Sequence, residues 1–351
     1  MGEVKKGYVR PLDLKQGRVD MGHGAGGRAM AQLIDEVFAR AFANEWLGQG
    51  NDAAVLPSPA AGERLVMATD AHVVSPLFFP GGDIGCLSVH GTINDVAVMG
   101  ARPLYLAASF ILEEGFALAD LVRIVDSMAA AAREAGVPVV TGDTKVVEAG
   151  KGDGVFISTT GVGALPAGRD IGGANARAGD VVIVSGSIGD HGTAILSQRE
   201  SLAFDTEIVS DTAALHGLIA DLLEAVPGIR VMRDPTRGGL ATTLNEIAVQ
   251  SGVGISLEEA AIPVHPQVEA ACEFLGLDPL YVANEGKLVV ICAADDADAA
   301  VSALRAHPLG TEAARIGEVI ADPNHFVQIR TGFGGRRMVD WLSGEQLPRI
   351  C

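Results

Sequence analysis

Apolar runs of strand length alternate along this chain with alanine-rich stretches of helical length, the pattern of mixed α and β layers. In the first half, strands are expected at Arg64–Thr69, Leu104–Leu112, Val137–Val140 and Val155–Gly161, with helices near Ile84–Met99 and Leu118–Ala135. A stretch rich in glycine, alanine and proline, Gly163–Gly179, reads as a linker. The second half opens on the strand Val181–Val184 and continues with helices near Asp211–Ala225 and Gly239–Gln250, a strand at Lys287–Ala293 and a helix at Asp295–Ala306. Short strands at Ala314–Ile320 and His325–Ile329 close it, leaving Arg336–Cys351 as a tail. No low-complexity segment or short repeat breaks this order.

Composition narrows the picture to a two-domain, enzyme-like chain. At 351 residues and about 150 per domain there is chain for two cores, and 48% hydrophobic residues can fill both. Lys plus Arg number 26 against 44 Asp plus Glu, a net charge of -18, which argues against nucleic acid because phosphate-backbone binding needs clustered cations. The start, Met1 to Lys6, lacks the apolar core of a signal peptide, and no later stretch reaches the ~18 uninterrupted apolar residues of a membrane span. A cytoplasmic protein with no membrane partner is expected. Cys86, Cys272, Cys292 and Cys351 form no C-x-x-C pair, so neither a zinc site nor a disulfide framework is indicated. Cys292 ends the apolar run Leu288–Cys292 and is expected to be a buried structural thiol. Cys351 is different: it is the last residue of the sequence, behind Pro348-Arg349-Ile350. A chain end can be threaded into a cleft or handed to another protein, yet on the tail alone an incidental exposed cysteine explains it equally well.

Candidate chemistry gathers where the expected strands stop. Asp70 follows Val66-Met67-Ala68-Thr69, Asp143 follows Val139-Val140-Thr141-Gly142, Asp52 stands in Gly50-Asn51-Asp52, and Asn94-Asp95 lies within the helical stretch Gly91–Gly100. Carboxylates on apolar elements are costly to desolvate without a positive partner, and few cations lie nearby in sequence. Magnesium, which takes one or two carboxylates plus nucleotide phosphates and water, is a natural counter-charge. Any one of these acids could instead cap a helix or turn. Two glycine-rich loops fit the same picture: Gly22–Arg28 before a helical stretch, and Ser185–Gly192 between a strand and a helix, where backbone N–H groups can approach phosphate. Neither carries the Gly-Lys-Ser/Thr of a Walker A loop. Arg233–Gly239 is a charged turn into a helix, and His72, His216, His265 and His307 have no ligand spacing and read as surface or packing residues.

Taken in order, His23-Gly24-Ala25-Gly26-Gly27, Gly91–Ala97, Thr141–Lys145, Ser185-Gly186 with Gly189–Gly192, Arg233–Gly239 and Ala283-Asn284-Glu285-Gly286-Lys287 resemble the ATP-dependent superfamily of aminoimidazole ribonucleotide synthetase and selenophosphate synthetase, the PurM-like proteins. The terminal Pro348-Arg349-Ile350-Cys351 narrows the resemblance to the carbamoyl dehydratases of hydrogenase maturation. It runs from about His23 to Cys351. Selenophosphate synthetases carry a reactive Cys or selenocysteine in the first glycine-rich segment, and here Gly22–Arg28 has none.

The resemblance implies an α/β fold of two PurM-like domains, with an N-terminal segment (1–44), an ATP-binding domain (45–165), a second domain (166–335) and a mobile tail (336–351). First-domain strands are expected to pair across a homodimer. In such a family a carbamoyltransferase, HypF, places a carboxamide on the terminal cysteine. ATP drives its dehydration to a thiocyanate, and the cyanide passes to the iron of a [NiFe] hydrogenase through a HypC–HypD complex. Carried over residue by residue, the catalytic candidates are Cys351, Glu285 and Lys145. ATP would be bound by Gly24, Gly26, Gly27, Asp52, Asn94 and Thr144. Magnesium would be bound by Asp70, Asp95 and Asp143, with Asp52 a further candidate. Glu285 is the preferred base because an apolar setting raises a carboxylate pKa, while Lys145 could orient the oxygen or share the proton transfer. The ten residues from Trp341 to Cys351 could span about 33–36 Å extended, enough to cross a domain face. A carrier whose tail only ferries a group made elsewhere is the alternative.

Overall fold

The structure, a computed structural model, describes residues 11–25, 28–49, 53, 54, 56–200, 207–342 and 349–351. A helical segment, α1 (Arg28–Leu33) to α2 (Arg40–Phe42) through a π-helical turn, precedes the first sheet. That sheet holds β1 (Arg64–His72), β4 (Arg102–Glu113), β5 (Val139–Val147) and β6 (Val155–Leu165) in the order β1-β6-β4-β5. A two-residue hairpin, β2 (Phe78–Phe79) and β3 (Gly82–Asp83), leads into α3 (Ile84–Val98). The parallel pair β4–β5 needs a crossover, which α4 (Leu118–Ala135) supplies. Leu118, Leu121, Ile124, Val125 and Met128 form its buried stripe, and Gly136 closes it in the left-handed conformation.

One face of the sheet is covered and the other is open. Side chains alternate along a strand, so Val66, Ala68, Asp70 and His72 of β1 point towards α3 while Leu65 and Met67 are 64% and 71% exposed. Ile111 of β4, at 43%, belongs to the same open face. α3 is buried almost all round because it lies between this sheet and the second domain, touching β1, β6, α6 (His216–Ala225) and β8 (Val231–Arg233).

The second sheet also contains β7 (Val181–Val184), β9 (Gly254–Glu258), β10 (Val289–Cys292), β11 (Ala314–Ile320), β12 (Val327–Arg330) and β13 (Arg336–Met338), in the order β13-β12-β9-β11-β7-β10-β8. The central β7 and β10 are apolar at every position because both faces are covered. α7 (Gly239–Ser251) packs on one side. α6 and α9 (Ala297–Ala306) pack on the other. α5 (Asp190–Arg199) and α8 (Pro266–Leu275) form a smaller satellite core. Cys292 is fully buried, and burial lifts its thiol pKa to about 11.

Several boundaries differ from the sequence expectation for visible reasons. β5 runs on through Asp143, Thr144 and Lys145, because an edge strand can alternate a buried Thr144 with exposed neighbours. β6 extends through Gly163–Leu165, so the linker begins at Pro166. α6 starts at His216 instead of Asp211, whose carboxylate is engaged elsewhere. Residues 336–339, expected in the tail, belong to the second domain: β13 pairs with β12, and Val339 is 1% exposed. No helix among the described residues is long and apolar enough to cross a membrane.

Candidate active site

Five segments converge in the cleft between the domains: the end of β1, the middle of α3, the turn after β8, the loop before β10 and the chain terminus. On α3, Gly91, Asn94 and Asp95 share one face because residues three and four apart are neighbours on a helix. At Gly91 side chains of β1 and of the second domain both come up against the helix. A Cβ there would lie 3.2 Å from His72 Cε1, 3.4 Å from Asp70 Oδ2 and 3.9 Å from Glu285 Oε2. Asp70, His72 and Glu285 therefore meet over one bare patch of helix.

Glu285 is held by a rigid loop. Asn284, fully buried, accepts the Gly189 N–H at 2.7 Å and donates to the Pro235 oxygen at 2.9 Å. Asp211 accepts the Glu285 N–H at 3.0 Å and pairs with Lys287 at 3.1 Å. Gly286 passes so close to Asp211 that a Cβ would fall 1.8 Å from its main-chain oxygen, so only glycine fits. Asn94 donates to the Glu285 main-chain oxygen at 3.3 Å and to that of Ala213 at 3.0 Å, and accepts the Leu215 N–H at 2.8 Å. The loop is thus set by hydrogen bonds to both domains, while Glu285 Oε1, buried, has no hydrogen-bond partner.

The terminus lies beside the chain following β1 as a short antiparallel strand. Ile350 bridges Val74, Val73 N–H donates to the Cys351 main-chain oxygen at 2.9 Å, and Ser75 N–H donates to that of Arg349 at 3.1 Å. Arg349 pairs with Asp153. This places the Cys351 sulfur 3.5 Å from Arg237 Nη1. Burial and the nearby Glu285 push the thiol pKa up, against the pull of Arg237.

The cluster is acidic beyond what its cations balance. Burial, with Asp234, Asp211 and Asp70 adding to it, holds Glu285 well above the usual carboxylate pKa. Burial and the charges of Asp234 and Asp70 raise Asp95 to about 7, and burial raises Asp234 to about 6. Arg233 and Arg237 line a 480 Å³ cavity with Asp95, Asp234 and Thr236 beside β1. Such a set, all oxygen donors next to two guanidiniums, suits a magnesium-bound phosphate chain, for which one or two protein carboxylates are usual. Among the described residues no three His, Cys, Asp or Glu side chains converge as a complete ligand set.

Asp95 makes the cost of this crowding measurable. Its folded pKa, about 7 against an ordinary 3.8, means that between those values the folded state keeps a proton the unfolded chain has lost. Its contribution to stability therefore falls as pH rises through that window and stays lost above it. Asp95→Asn is expected to raise the unfolding free energy at pH ~8 by about 1–2 kcal/mol, after discounting for partial exposure, and to change little at pH ~4. Urea unfolding at the two pH values checks this, and equal effects at both would contradict it.

The remaining sequence candidates lie elsewhere. Across the sheet Asp70 is level with Thr159, Ala108 and then Gly142. Asp143, one residue on, therefore falls on the opposite, open face, about 14 Å away across three strand spacings. Lys145 shares that face, paired with Asp143 at 3.1 Å, the two side chains 63% and 55% exposed. Within one chain Asp70, Asp95 and Asp143 do not share a cation, and Lys145 does not reach Cys351. Thr144 points the other way, into a 430 Å³ groove with Phe38 and Phe110 under the helical segment. Gly24 lies against Val146 of β5. Asn94 has both ends of its amide engaged by backbone groups. Gly26, Gly27 and Asp52 lie outside the described residues. In the Ser185–Gly192 loop, Ser185 and Ser187 accept the N–H groups of Leu288 and His265, so these hydroxyls serve the fold. Sequence reasoning missed Asp234 and Arg237 as site residues, although their motif was visible. It also gave no role to His191, although Gly189–Gly192 is one of the motifs that carry the resemblance.

Comparison with known proteins places this geometry. Residues 50–165 match the N-terminal domain of AIR synthase related proteins and residues 177–330 the C-terminal domain. The carbamoyl dehydratase HypE of Cupriavidus necator is 76% identical over 350 residues, covering 100% of this chain and 99% of that protein. The chain belongs to the carbamoyl dehydratase HypE family. A crystal structure of a HypE in complex with ATP superposes on 95% of this chain and 99% of that one, at 51% identity and a TM-score of 0.91. The HypE of a HypE–HypF complex superposes on 88% of this chain and 99% of that one, at 51% identity and a TM-score of 0.78. These members of the family share both domains along nearly their whole length.

Proposed function

We propose that this chain is an ATP-dependent carbamoyl dehydratase that converts an S-carboxamide on its own Cys351 into a thiocyanate, supplying the cyanide ligands of a [NiFe] hydrogenase iron. The observation that carries this reading is the docked terminus, which puts the Cys351 sulfur beside Arg237 and in the field of Glu285. Burial and Glu285 push the Cys351 thiol pKa up, so Glu285 does not activate the bare sulfur. A carboxamide on that sulfur needs a base, because its nitrogen must lose two protons.

ATP supplies the phosphoryl group that turns the amide oxygen into a leaving phosphate, with magnesium balancing charge. The protein does the rest. Glu285, once ionised, takes one proton from the amide nitrogen; as the C–O bond breaks, the departing phosphate carries off the second proton and the C≡N bond is complete. Arg237 neutralises charge developing near the sulfur and the departing oxygen. Asp70 and Asp95 are the residues that would hold magnesium.

Asp143 and Lys145 support a homodimeric site. They form a charged pair on the open, apolar face of the first sheet, away from Cys351 of their own chain. A second copy pairing on that face would bring Asp143 and Lys145 to the site from across the interface. HypF, the named partner in a relative's complex, is the proposed source of the carboxamide, and a HypC–HypD complex its onward acceptor. The cytoplasm suits four unpaired thiols, Cys351 among them.

Asp143→Asn tests the nucleotide part of this reading. The variant is expected to lose about 10–100-fold in ATP turnover while its Cys351 is still carbamoylated. Unchanged turnover would remove Asp143 from the nucleotide site.

A further inference from the structure

The groups that hold the tail lie outside the acidic cluster and have no part in the chemistry above. His191, near the start of α5, is 0% exposed. Its Nδ1 lies 2.7 Å from Ser210 Oγ and its Nε2 lies 2.8 Å from the main-chain oxygen of Ile350. The Ile350 main-chain oxygen can only accept, so the imidazole proton sits on Nε2 and is donated to it. In the neutral ring Nδ1 then accepts the Ser210 hydroxyl proton, while Ser210 Oγ accepts the Thr212 N–H at 3.2 Å. Phe79 stands edge-on to the ring at 5.6 Å. Arg199, in the last turn of the same helix, donates Nη2 to the Arg349 oxygen at 2.9 Å, and Nε and Nη2 to the Ser75 oxygen at 2.9 and 2.7 Å. The Ile350 side chain is 4% exposed within the first domain's core.

His191 and Arg199 thus read main-chain oxygens on two successive residues, and a pocket takes the side chain of one. Because strand residues alternate in direction, a slip by one would exchange what enters the core and what enters the cleft. We propose that His191 and Arg199 are positioning residues that fix the register of the docked tail, so that the Cys351 sulfur is the group presented to Glu285 and Arg237. The docked tail counts as the reacting state only on the dehydratase reading, whereas the dock itself can be measured without any turnover.

The test uses the full-length protein. His191→Phe keeps a ring against Phe79 and removes the donor; Arg199→Ala removes the second contact; His191→Gln restores an N–H. Before carbamoylation, alkylation of Cys351 by iodoacetamide, followed by the mass of the C-terminal peptide, is expected to be about tenfold faster in the first two variants. It should return towards the wild-type rate in His191→Gln. Alkylation of the buried Cys272 and Cys292 is expected to stay unchanged, which a general loosening of the fold would not allow. After carbamoylation, kcat for dehydration should fall at least about tenfold at an unchanged KM for ATP. Wild-type alkylation of Cys351 in both His191→Phe and Arg199→Ala would overturn the proposal. Faster alkylation in variants of a protein that forms no thiocyanate on Cys351 would uphold the dock and overturn the dehydratase reading.

Discussion

Glu285→Gln is expected to abolish thiocyanate formation for practical purposes, lowering the dehydration rate by about 10²–10⁴-fold, the usual contribution of a positioned base. Glutamine keeps the size and shape of the side chain. The main chain at this position is fixed by Asp211 and Asn94, so the loop should not move. Cys351 should still accept a carboxamide from its partner, because that step does not involve Glu285. A second signature follows from the charge of the site. Burial, together with Asp234, Asp211 and Asp70, raises the Glu285 pKa, so in the wild type the rate should climb with pH as the carboxyl ionises. The variant should lack that limb. A variant within about tenfold of the wild type at every pH would remove Glu285 from the chemistry.

Mixing two dead variants is expected to bring activity back. Cys351→Ala has no sulfur to modify and should form no thiocyanate on any residue. Lys145→Ala should be inactive if that lysine completes the site. With both groups required in one site and Lys145 reaching Cys351 only from a second copy, a mixed dimer has one intact site of two. Random exchange of equal amounts makes about half the dimers mixed, giving about a quarter of wild-type activity. Subunit exchange followed by a thiocyanate assay decides this. No recovery would mean that Lys145 serves its own chain, and an active Lys145→Ala before mixing would mean that it is not needed. Thiocyanate on another cysteine of Cys351→Ala would overturn the assignment of the substrate residue.

The parts of this protein legible in the sequence are those dictated by local pattern. Val181–Val184 and Val289–Cys292 are apolar throughout because they lie at the centre of a sheet covered on both faces. The stripe of Leu118–Ala135 declares an amphipathic helix. Short or edge elements such as β8, β9 and β13 carry too few residues for a period to show.

The site divides in the same way. Glu285 and Cys351 were found by motif, and the fold brings them together. Asp143 was grouped with Asp70 because each ends an apolar run. Strand register, which a single sequence does not display, puts the two on opposite faces. Asn94 and Asp95 are adjacent, yet one is spent on backbone groups of the second domain while the other is left crowded by acids. His191 stood in a visible motif, but its role stayed hidden because its partner is a main-chain oxygen 159 residues away.

The most direct measurement is the mass of the C-terminal peptide from carbamoylated protein before and after incubation with Mg-ATP. The account predicts loss of the mass of one water from Cys351, only with ATP, and none in Glu285→Gln. An unchanged mass, in protein that still binds the nucleotide, would contradict it and leave the tail as a carrier of a group made elsewhere.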